Sequence, residues 1–494
     1  MIRIDQFRNY FETSVRRTIP PGWHLMGGLC LAGIAALLSL SFWSFNTDDS
    51  YIGYRIAENV ASGQGWVYNL GERVNGATSP LWTLLLILGA SFASTILVSH
   101  LVTAVCIFLV GYFSWRVSWH FLGPWLSLMA GTLMQTHPML VLSISMETWL
   151  YLAFALMSIW AWHARSTVLA CGCLAAGVLA RPDAILLAGI ILALLCVQHH
   201  LTWPSLAVFV FPLAAWALFS LWQFGTPFPH TLEAKMAQAR SGFWDFELPP
   251  LSFLPLFSKG LLWWLKHVHG VLVLVLTLPF GIAGLVSLRR WHPILGVVVG
   301  WGALHLIAYS VLNVPQYHWY YSPVLLAIIF GFLAGCRRLL EEFGRSRFVL
   351  VWIVLVSLFV VYRQFAFTHA MYHGLPEPRN AAYEQLARWL RQNTDTTARV
   401  AAAEIGLIGY VSARPMVDMA ALIHKEGPAE LRKRNAGWWL PRYSPGIVIA
   451  HTPAWPFEKI VESSPDYRLV YQQRSQSYDT LRVFERIGSG AFRH

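Results

Sequence analysis

Two adjacent aspartates, Asp48 and Asp49, are the residues of this sequence with the clearest potential for chemistry. They directly follow the first long apolar segment and begin the string D-D-S-Y-I. A carboxylate in this position can act as a general base or bind a metal ion, or it can cap the start of a helix. Because one carboxylate suffices for a cap and two adjacent carboxylates repel each other, we favour a chemical role for the pair.

Glu147 and Arg181 are ionisable residues at the ends of later apolar segments. Glu147 is a candidate for a second acidic, donor-binding site, and the alternative is an acid that stabilises a helix start. An arginine at membrane depth is costly unless it pairs or binds an anion, which makes Arg181 a phosphate-binding candidate. The alternative is an ion pair with Asp183 or Glu147. Because residues i and i+2 do not face each other on a helix, we expect Glu147 or a phosphate as the partner.

Two later segments contain further candidates for binding a phosphate or a sugar. Lys235 and Arg240 could hold a phosphate, as a point charge and a bidentate fork, or they could attract lipid headgroups. In the string Y-H-W-Y-Y-S-P, His318 could contact a phosphate or an acceptor sugar. Trp319 and Tyr320 could stack on a sugar face, although tyrosine and tryptophan are also ordinary membrane anchors.

The composition indicates that membrane helices position these residues. Of the 494 residues, 56% are hydrophobic and 12% are charged, against about 25% charged in soluble domains. The mean hydropathy of +0.49 and the many long apolar runs are typical of a polytopic membrane protein. The net charge of +11 does not indicate nucleic-acid binding, because the arginines flank apolar segments as topology signals. The scattered cysteines and the lack of Walker-type, G-x-S-x-G and H-E-x-x-H motifs argue against metal-site, ATPase, hydrolase and metalloprotease functions.

The arginine pattern predicts about eleven transmembrane helices, with the N-terminus inside. The basic residues placed inside are Arg3, Arg8, Arg16, Arg17, Arg116, Arg165, Arg289, Arg290, Arg337, Arg338, Arg345 and Arg347. The predicted spans are 23–45, 97–116, 122–142, 148–164, 166–180, 183–198, 203–223, 270–288, 294–312, 320–337 and 347–366. A further span from residue 80 to about 93 would place Arg116 and Arg165 outside, so we interpret it as a helix that dips into the outer leaflet. The acids before residue 368 then concentrate at the outer face, which suggests an outward-facing polar site.

Two soluble elements complete the prediction. Ile52, Ile56 and Val60 indicate an amphipathic helix along the membrane surface, which would hold the aspartate pair at the mouth of the membrane domain. After residue 367, a helix-like stretch and several β-like runs predict a soluble α/β domain on the outer side. The domains are therefore 1–367 in the membrane and 368–494 outside it. The β-like runs are 399–402, 446–450, 468–471 and 481–484.

The segment from Asn46 to Trp82 resembles the polyprenyl-phosphate-dependent glycosyltransferases of the GT-C superfamily. The strings R-I-A-E-N-V-A-S-G-Q-G, V-Y-N-L-G-E-R-V and T-S-P-L-W are most similar to terminal arabinofuranosyltransferases of actinobacterial cell walls and to pilin arabinosyltransferases. In the C-terminal domain, residues 403–410 and 417–419 resemble the strand–turn–strand pieces of the same family. Glu404 stands where related sequences often have Asp, so packing or acceptor recognition is its expected role.

The resemblance implies a GT-C-like fold in the bacterial inner membrane, with the active site facing outward. Asp48 or Asp49 would be the catalytic carboxylate, and Arg55 would be a sugar or acceptor contact. The donor would be a polyprenyl-phosphate sugar, with arabinofuranose as the implied sugar, and the acceptor a glycan or a protein. A divalent cation on Asp48, Asp49 and Glu147 is an open alternative, although a monophosphate donor does not require one. A transporter or flippase for lipid-linked sugars is the alternative function.

Overall fold

The structure is a computed structural model, and it describes residues 19–243, 266–267, 278, 280–284, 292–312, 314–315, 317–343, 347–374, 377–474 and 480–492. Most of the predicted span 270–288 lies outside these residues. So do the predicted inside arginines Arg3, Arg8, Arg16, Arg17, Arg289, Arg290 and Arg345.

The first part of the chain is helical. Its helices are α1 Pro21–Ser41, α2 Asp48–Ala61, α3 Pro80–Ala90, α4 Thr95–Leu122, α5 Pro124–Thr136, α6 Pro138–Val141, α7 Thr148–His163, α8 Thr167–Ala180, α9 Ile185–Val197, α10 Trp203–Phe224, α11 His230–Ser241, α12 Pro293–Leu312, α13 Ser322–Glu342 and α14 Arg347–Gly374. Two short 3-10 helices, Pro182–Ala184 and His318–Tyr321, precede α9 and α13.

Six helices of the described residues are long and apolar enough to cross a membrane: α1, α4, α10, α12, α13 with its preceding 3-10 turn, and α14. The predicted span 122–142 is divided into α5 and α6, because Pro138 forces the preceding residue into an extended conformation. Large apolar side chains on the outer surfaces of these helices remain exposed, among them Leu40, Phe211, Trp222 and Phe348. Contact with lipid explains such an apolar surface, and the exact number of spans stays a prediction.

Helices α2 and α3, with 14 and 11 residues, are too short to count among the candidate spans. The 11 residues of α3 are well short of the roughly 20 that a crossing needs, which fits the predicted dip into one leaflet. Helix α2 is amphipathic as predicted, but Ile52 and Ile56 pack in the core of the C-terminal domain instead of facing the membrane surface, so the predicted membrane contact of this face is wrong. Helix α2 begins with the two aspartates, a few residues after the end of α1.

The C-terminal domain, residues 377–492, is built around a five-stranded sheet. Its elements are α15 Glu377–Asn393, β1 Val400–Ala402, α16 Gly406–Ser412, β2 Met416–Asp418, α17 Gly427–Arg432, α18 Trp439–Tyr443, β3 Ile447–Ala450, α19 Lys459–Glu462, β4 Tyr467–Gln473 and β5 Leu481–Arg486. The strand order is β2-β1-β3-β5-β4. Strand β1 is parallel to β2 and β3, whereas β5 is antiparallel to β3 and β4.

The β-like runs predicted from the sequence correspond to β1, β3, β4 and β5, and the predicted helix corresponds to α15. Of the two segments that resemble strand–turn–strand pieces, 417–419 overlaps strand β2, whereas 403–410 makes a turn after β1 and then enters α16 instead of a strand. The predicted domain boundary at 367 falls within α14, which continues to Gly374.

Candidate active site

A cavity of about 350 Å³ opens between the start of α2, α11, the start of α7, the Arg181 turn and α12. Its walls are mainly apolar, with side chains such as Ile52, Trp82, Leu186 and Leu312. Six residues predicted from the sequence line it together: Asp49, Glu147, Arg181, Lys235, Trp319 and Tyr320. The fold therefore brings predicted site residues from five separate segments of the chain to one concave surface.

Asp49 and Lys235 form an ion pair in the lining of this cavity. The Nζ atom of Lys235 lies 3.7 Å from Oδ2 of Asp49. It also lies 4.1 Å from the ring centre of Tyr317, which stacks on Trp319 with ring centres 4.5 Å apart. The Asp49 side chain is 37% exposed and the Lys235 side chain 15% exposed. The aromatic wall thus holds a cation beside a carboxylate that remains accessible from the cavity.

Arg181 forms the second charged group of the cavity, and its side chain is only 6% exposed. Its Nε and Nη2 atoms donate to the two carboxylate oxygens of Asp183 at 3.3 and 2.9 Å. Tyr309 donates to the same carboxylate at 2.6 Å. Glu147 lies farther away, with Oε1 3.6 Å from Nη1 of Arg181.

The expectation that Asp183 would not pair with Arg181 is therefore wrong. The argument assumed a continuous helix, on which residues i and i+2 diverge. Arg181 instead ends α8 in an extended conformation, with φ −151° and ψ 126°, and Pro182 starts a 3-10 turn. This break in the helix turns Asp183 back toward the guanidinium.

Asp48 points away from the cavity, although it is adjacent to Asp49. Its two carboxylate oxygens accept hydrogen bonds from the backbone N–H groups of Gly406 at 3.0 Å and Leu407 at 2.7 Å. Burial raises the pKa of Asp48 to about 7, and repulsion from Glu404 and Asp49 acts in the same direction, whereas the two N–H donors lower it. Asp48 is thus committed to the first turn of α16.

The remaining predicted residues lie away from the cavity lining. Arg55 donates from Nη1 to the carbonyl of Gly409 at 2.8 Å and stacks over Tyr68, so it contacts the C-terminal domain. Arg240 is exposed in the last turn of α11. The Nε2 atom of His318 lies 3.2 Å from the carbonyl oxygen of Leu142. Their predicted contacts with phosphate or sugar stay predictions without support from this geometry.

The residues proposed for a divalent cation do not form one coordination site. Asp48 is engaged by α16, Asp49 lies beside Lys235, and Glu147 lies beside Arg181. Within the described ranges, no group of three His, Cys, Asp or Glu side chains is arranged to hold a metal ion.

Sequence reasoning missed Tyr309, which lines the cavity and completes the Arg181 network. Its ring stacks on His305 with centres 4.4 Å apart, and His305 Nε2 lies 2.9 Å from the carbonyl oxygen of Tyr320. A usable signal was present, because His305 and Tyr309 are four residues apart in an otherwise apolar helix. That spacing places both on one face.

The C-terminal part of the sequence, residues 370–492, matches a family model described as a domain of unknown function (DUF8728). No curated protein matches the sequence. The structure is similar to the crystal structure of ArnT from Cupriavidus metallidurans bound to undecaprenyl phosphate, with a TM-score of 0.59, 14% identity, and coverage of 96% of this chain and 100% of ArnT. For apo ArnT from the same organism the TM-score is 0.55 at 14% identity, with coverage of 93% and 98%.

At this level of identity the likeness concerns the fold. It covers almost the whole of both chains, so it includes the membrane helices as well as the C-terminal domain. The predicted fold class is thereby confirmed: the chain is a polytopic helical membrane protein with a C-terminal α/β domain, and its fold is similar to that of ArnT.

Proposed function

We propose that the protein is a membrane glycosyltransferase that moves a sugar from a polyprenyl-phosphate donor to an acceptor outside the cytoplasm. The observation that carries this proposal is the cavity in which Asp49 and Lys235 face each other among apolar walls. A carboxylate can take a proton, a lysine can neutralise a phosphate, and an apolar wall can accept a prenyl chain. ArnT, whose fold is similar, was crystallised with undecaprenyl phosphate, which is a polyprenyl phosphate.

In the proposed reaction, Asp49 removes the proton of the acceptor hydroxyl as its oxygen attacks the anomeric carbon. The bond between that carbon and the phosphate oxygen breaks, and the polyprenyl phosphate leaves with the electron pair. Lys235 stabilises the leaving phosphate, whereas Arg181 is already paired with Asp183 and keeps that part of the cavity wall in place. General-base help contributes about 10²–10⁴-fold in rate, and stabilisation of the leaving charge in a water-poor site contributes on a similar scale.

For the donor sugar we propose arabinofuranose, on the basis of the resemblance of residues 46–82 to terminal arabinofuranosyltransferases. The acceptor would be a glycan or a protein. The testing experiment incubates the purified full chain in lipid nanodiscs with synthetic polyprenyl-phosphate pentoses and hexoses and a panel of acceptors. We expect release of polyprenyl phosphate and a glycosylated product by mass spectrometry. Transport of the intact donor across proteoliposomes without any product would instead support the flippase alternative.

We further propose that the protein resides in the bacterial inner membrane, with residues 1–367 as the catalytic membrane domain and 368–494 as an outer domain. Arg116, Arg165 and Arg337 lie at or just beyond the C-terminal parts of α4, α7 and α13, and the positive-inside rule favours the cytoplasmic side for these helix ends. The cavity and the C-terminal domain would then face the periplasm or the outside, where a lipid-linked donor meets its acceptor.

Single cysteines at Ser62, Ser166 and Ser463 are expected to report this orientation, because all three residues are exposed. In a background with the six native cysteines replaced by alanine, a membrane-impermeant maleimide should label positions 62 and 463 on intact spheroplasts. Position 166, in the α7–α8 turn, should be labelled only after permeabilisation. Labelling of position 166 on intact spheroplasts would reverse the proposed topology.

A further inference from the structure

The C-terminal domain contacts both helices that carry Asp49 and Lys235, through α16 against α2 and through α17 against α11. One face of the sheet packs in a common core with Ile52 and Ile56 of α2. The opposite face packs in a second core with Ala237 of α11, which is fully buried. The strand residues alternate between these two cores, as the two faces of a sheet require. The two helices thus belong to cores on opposite faces of one sheet.

Specific hydrogen bonds fasten α2 to the first of these faces. Asp48 accepts from the N–H groups of Gly406 and Leu407, and Arg55 donates to the carbonyl of Gly409. One turn further along α2, Glu58 accepts a hydrogen bond from the hydroxyl of Tyr410 at 2.5 Å. The contacts recur along α2, so they determine both the position and the rotation of the helix that presents Asp49.

The close approach of α16 to α2 depends on two glycines. A Cβ atom at Gly406 would lie 1.9 Å from the backbone oxygen of Asp48, and one at Gly409 would lie 1.9 Å from the hydroxyl of Tyr68. Both distances are far below van der Waals contact. A side chain at Gly406 would therefore push α16 away from α2, and one at Gly409 would displace Tyr68, which follows α2 in the chain. The string G-L-I-G of α16 is therefore matched to the surface of α2.

Helix α11 is fastened to the domain independently. Gln238, which is 2% exposed, donates from Nε2 to the carbonyl oxygen of Ala420 at 2.7 Å. At the start of the same helix, Nε2 of His230 lies 2.8 Å from the carbonyl oxygen of His424. These contacts flank Lys235 on both sides along α11. They bind the helix to the segment that follows β2.

We infer that the C-terminal domain is a brace that sets the separation of Asp49 and Lys235, with Asp48 as the positioning residue on α2 and Gln238 as the positioning residue on α11. This inference rests on the proposed function, because that function is what gives Asp49 of α2 and Lys235 of α11 a part in the reaction. It gives the domain of unknown function a task in the reaction without placing any of its residues in contact with the reacting atoms. It also assigns different roles to the adjacent aspartates: Asp49 is the proposed base, and Asp48 binds α16 and so positions α2.

The two ends of the brace are expected to have different kinetic signatures. Asp48→Asn keeps one acceptor oxygen for α16 and should lower kcat about 10-fold, whereas Asp48→Ala loses both acceptors and should lower kcat about 100-fold, the scale of an ångström-sized misplacement. The donor KM should stay within about twofold in both variants, since Lys235 is not displaced. Gln238→Met should instead raise the donor KM, because it releases α11.

The graded response distinguishes a positioning residue from a base, because a base would lose about the same activity in Asp48→Asn and Asp48→Ala. Equal and complete inactivation of both variants would therefore overturn the inference, as would wild-type kinetics in all three. Gly189→Ala is the control for a helical glycine with open space around it. Arg432→Ala is the control for α11, since its contact with Glu233 is an exposed ion pair and should contribute little.

A second measurement tests the brace without any turnover. In hydrogen–deuterium exchange of the full chain in nanodiscs, Asp48→Asn and Gly406→Ala should accelerate amide exchange in α2 above wild type and Gly189→Ala. Gln238→Met should accelerate exchange in α11. Unchanged exchange in both helices would overturn the brace even if the wild type transfers sugar. If the wild type transfers no sugar from any donor, the proposed function fails while accelerated exchange still supports the brace.

Discussion

Asp49→Asn is expected to abolish sugar transfer while binding of the donor survives. The substitution preserves the shape of the side chain but removes its ability to take a proton, and this interaction is used mainly in the transition state. We expect kcat to fall by about 10²–10⁴-fold, the usual contribution of a general base, with little change in KM for the donor. Initial rates with the polyprenyl-phosphate sugar, together with a binding titration of undecaprenyl phosphate, provide the two measurements.

Asp466→Asn is a suitable control for this experiment, because Asp466 is an exposed aspartate of the C-terminal domain, remote in sequence from the cavity lining. It should retain wild-type kinetics. If Asp49→Asn also retains near-normal kcat, the base lies elsewhere. Glu147 would then be the next candidate, because it lines the same cavity.

Arg181→Met is expected to destabilise the protein rather than selectively weaken donor binding. It leaves Asp183 without its charged partner in a buried position, and breaking such a pair costs about 3–5 kcal/mol. Lys235→Met should behave in the opposite way. Its partner Asp49 is 37% exposed, so loss of the pair should change stability by about 1 kcal/mol or less. Loss of the cation that faces the phosphate should weaken donor binding by about 10–100-fold, the equivalent of one charged hydrogen bond.

Thermal unfolding with and without undecaprenyl phosphate separates these two roles. The melting temperature without ligand should fall for Arg181→Met, and the ligand-induced increase should be lost mainly in Lys235→Met. Arg337→Met is the control for loss of an arginine, because the Arg337–Glu341 pair is exposed. An Arg181→Met protein that melts like the wild type but no longer responds to the lipid phosphate would return the phosphate-binding role to Arg181.

The architecture was largely predictable from the sequence because burial in lipid leaves a strong local signal. Long apolar runs predicted α1, α4, α10, α12, α13 and α14, and β-like runs separated by turn formers predicted most of the sheet. Errors arose where backbone geometry overrides a run of apolar residues. Pro138 divides one predicted span, and residues 403–410 enter a helix because Gly406 and Gly409 allow close packing on α2.

The sequence by itself determined which residues could react, since few ionisable side chains survive near membrane helices. Asp49, Glu147, Arg181 and Lys235 were selected in this way, and their roles remain predictions. Tertiary structure alone decided how the residues are divided between tasks. Neighbouring side chains on a helix point about 100° apart, so Asp48 and Asp49 can face different parts of the structure. Asp48 is the one that turns away, because its carboxylate meets two backbone N–H groups more than 350 residues later in the chain.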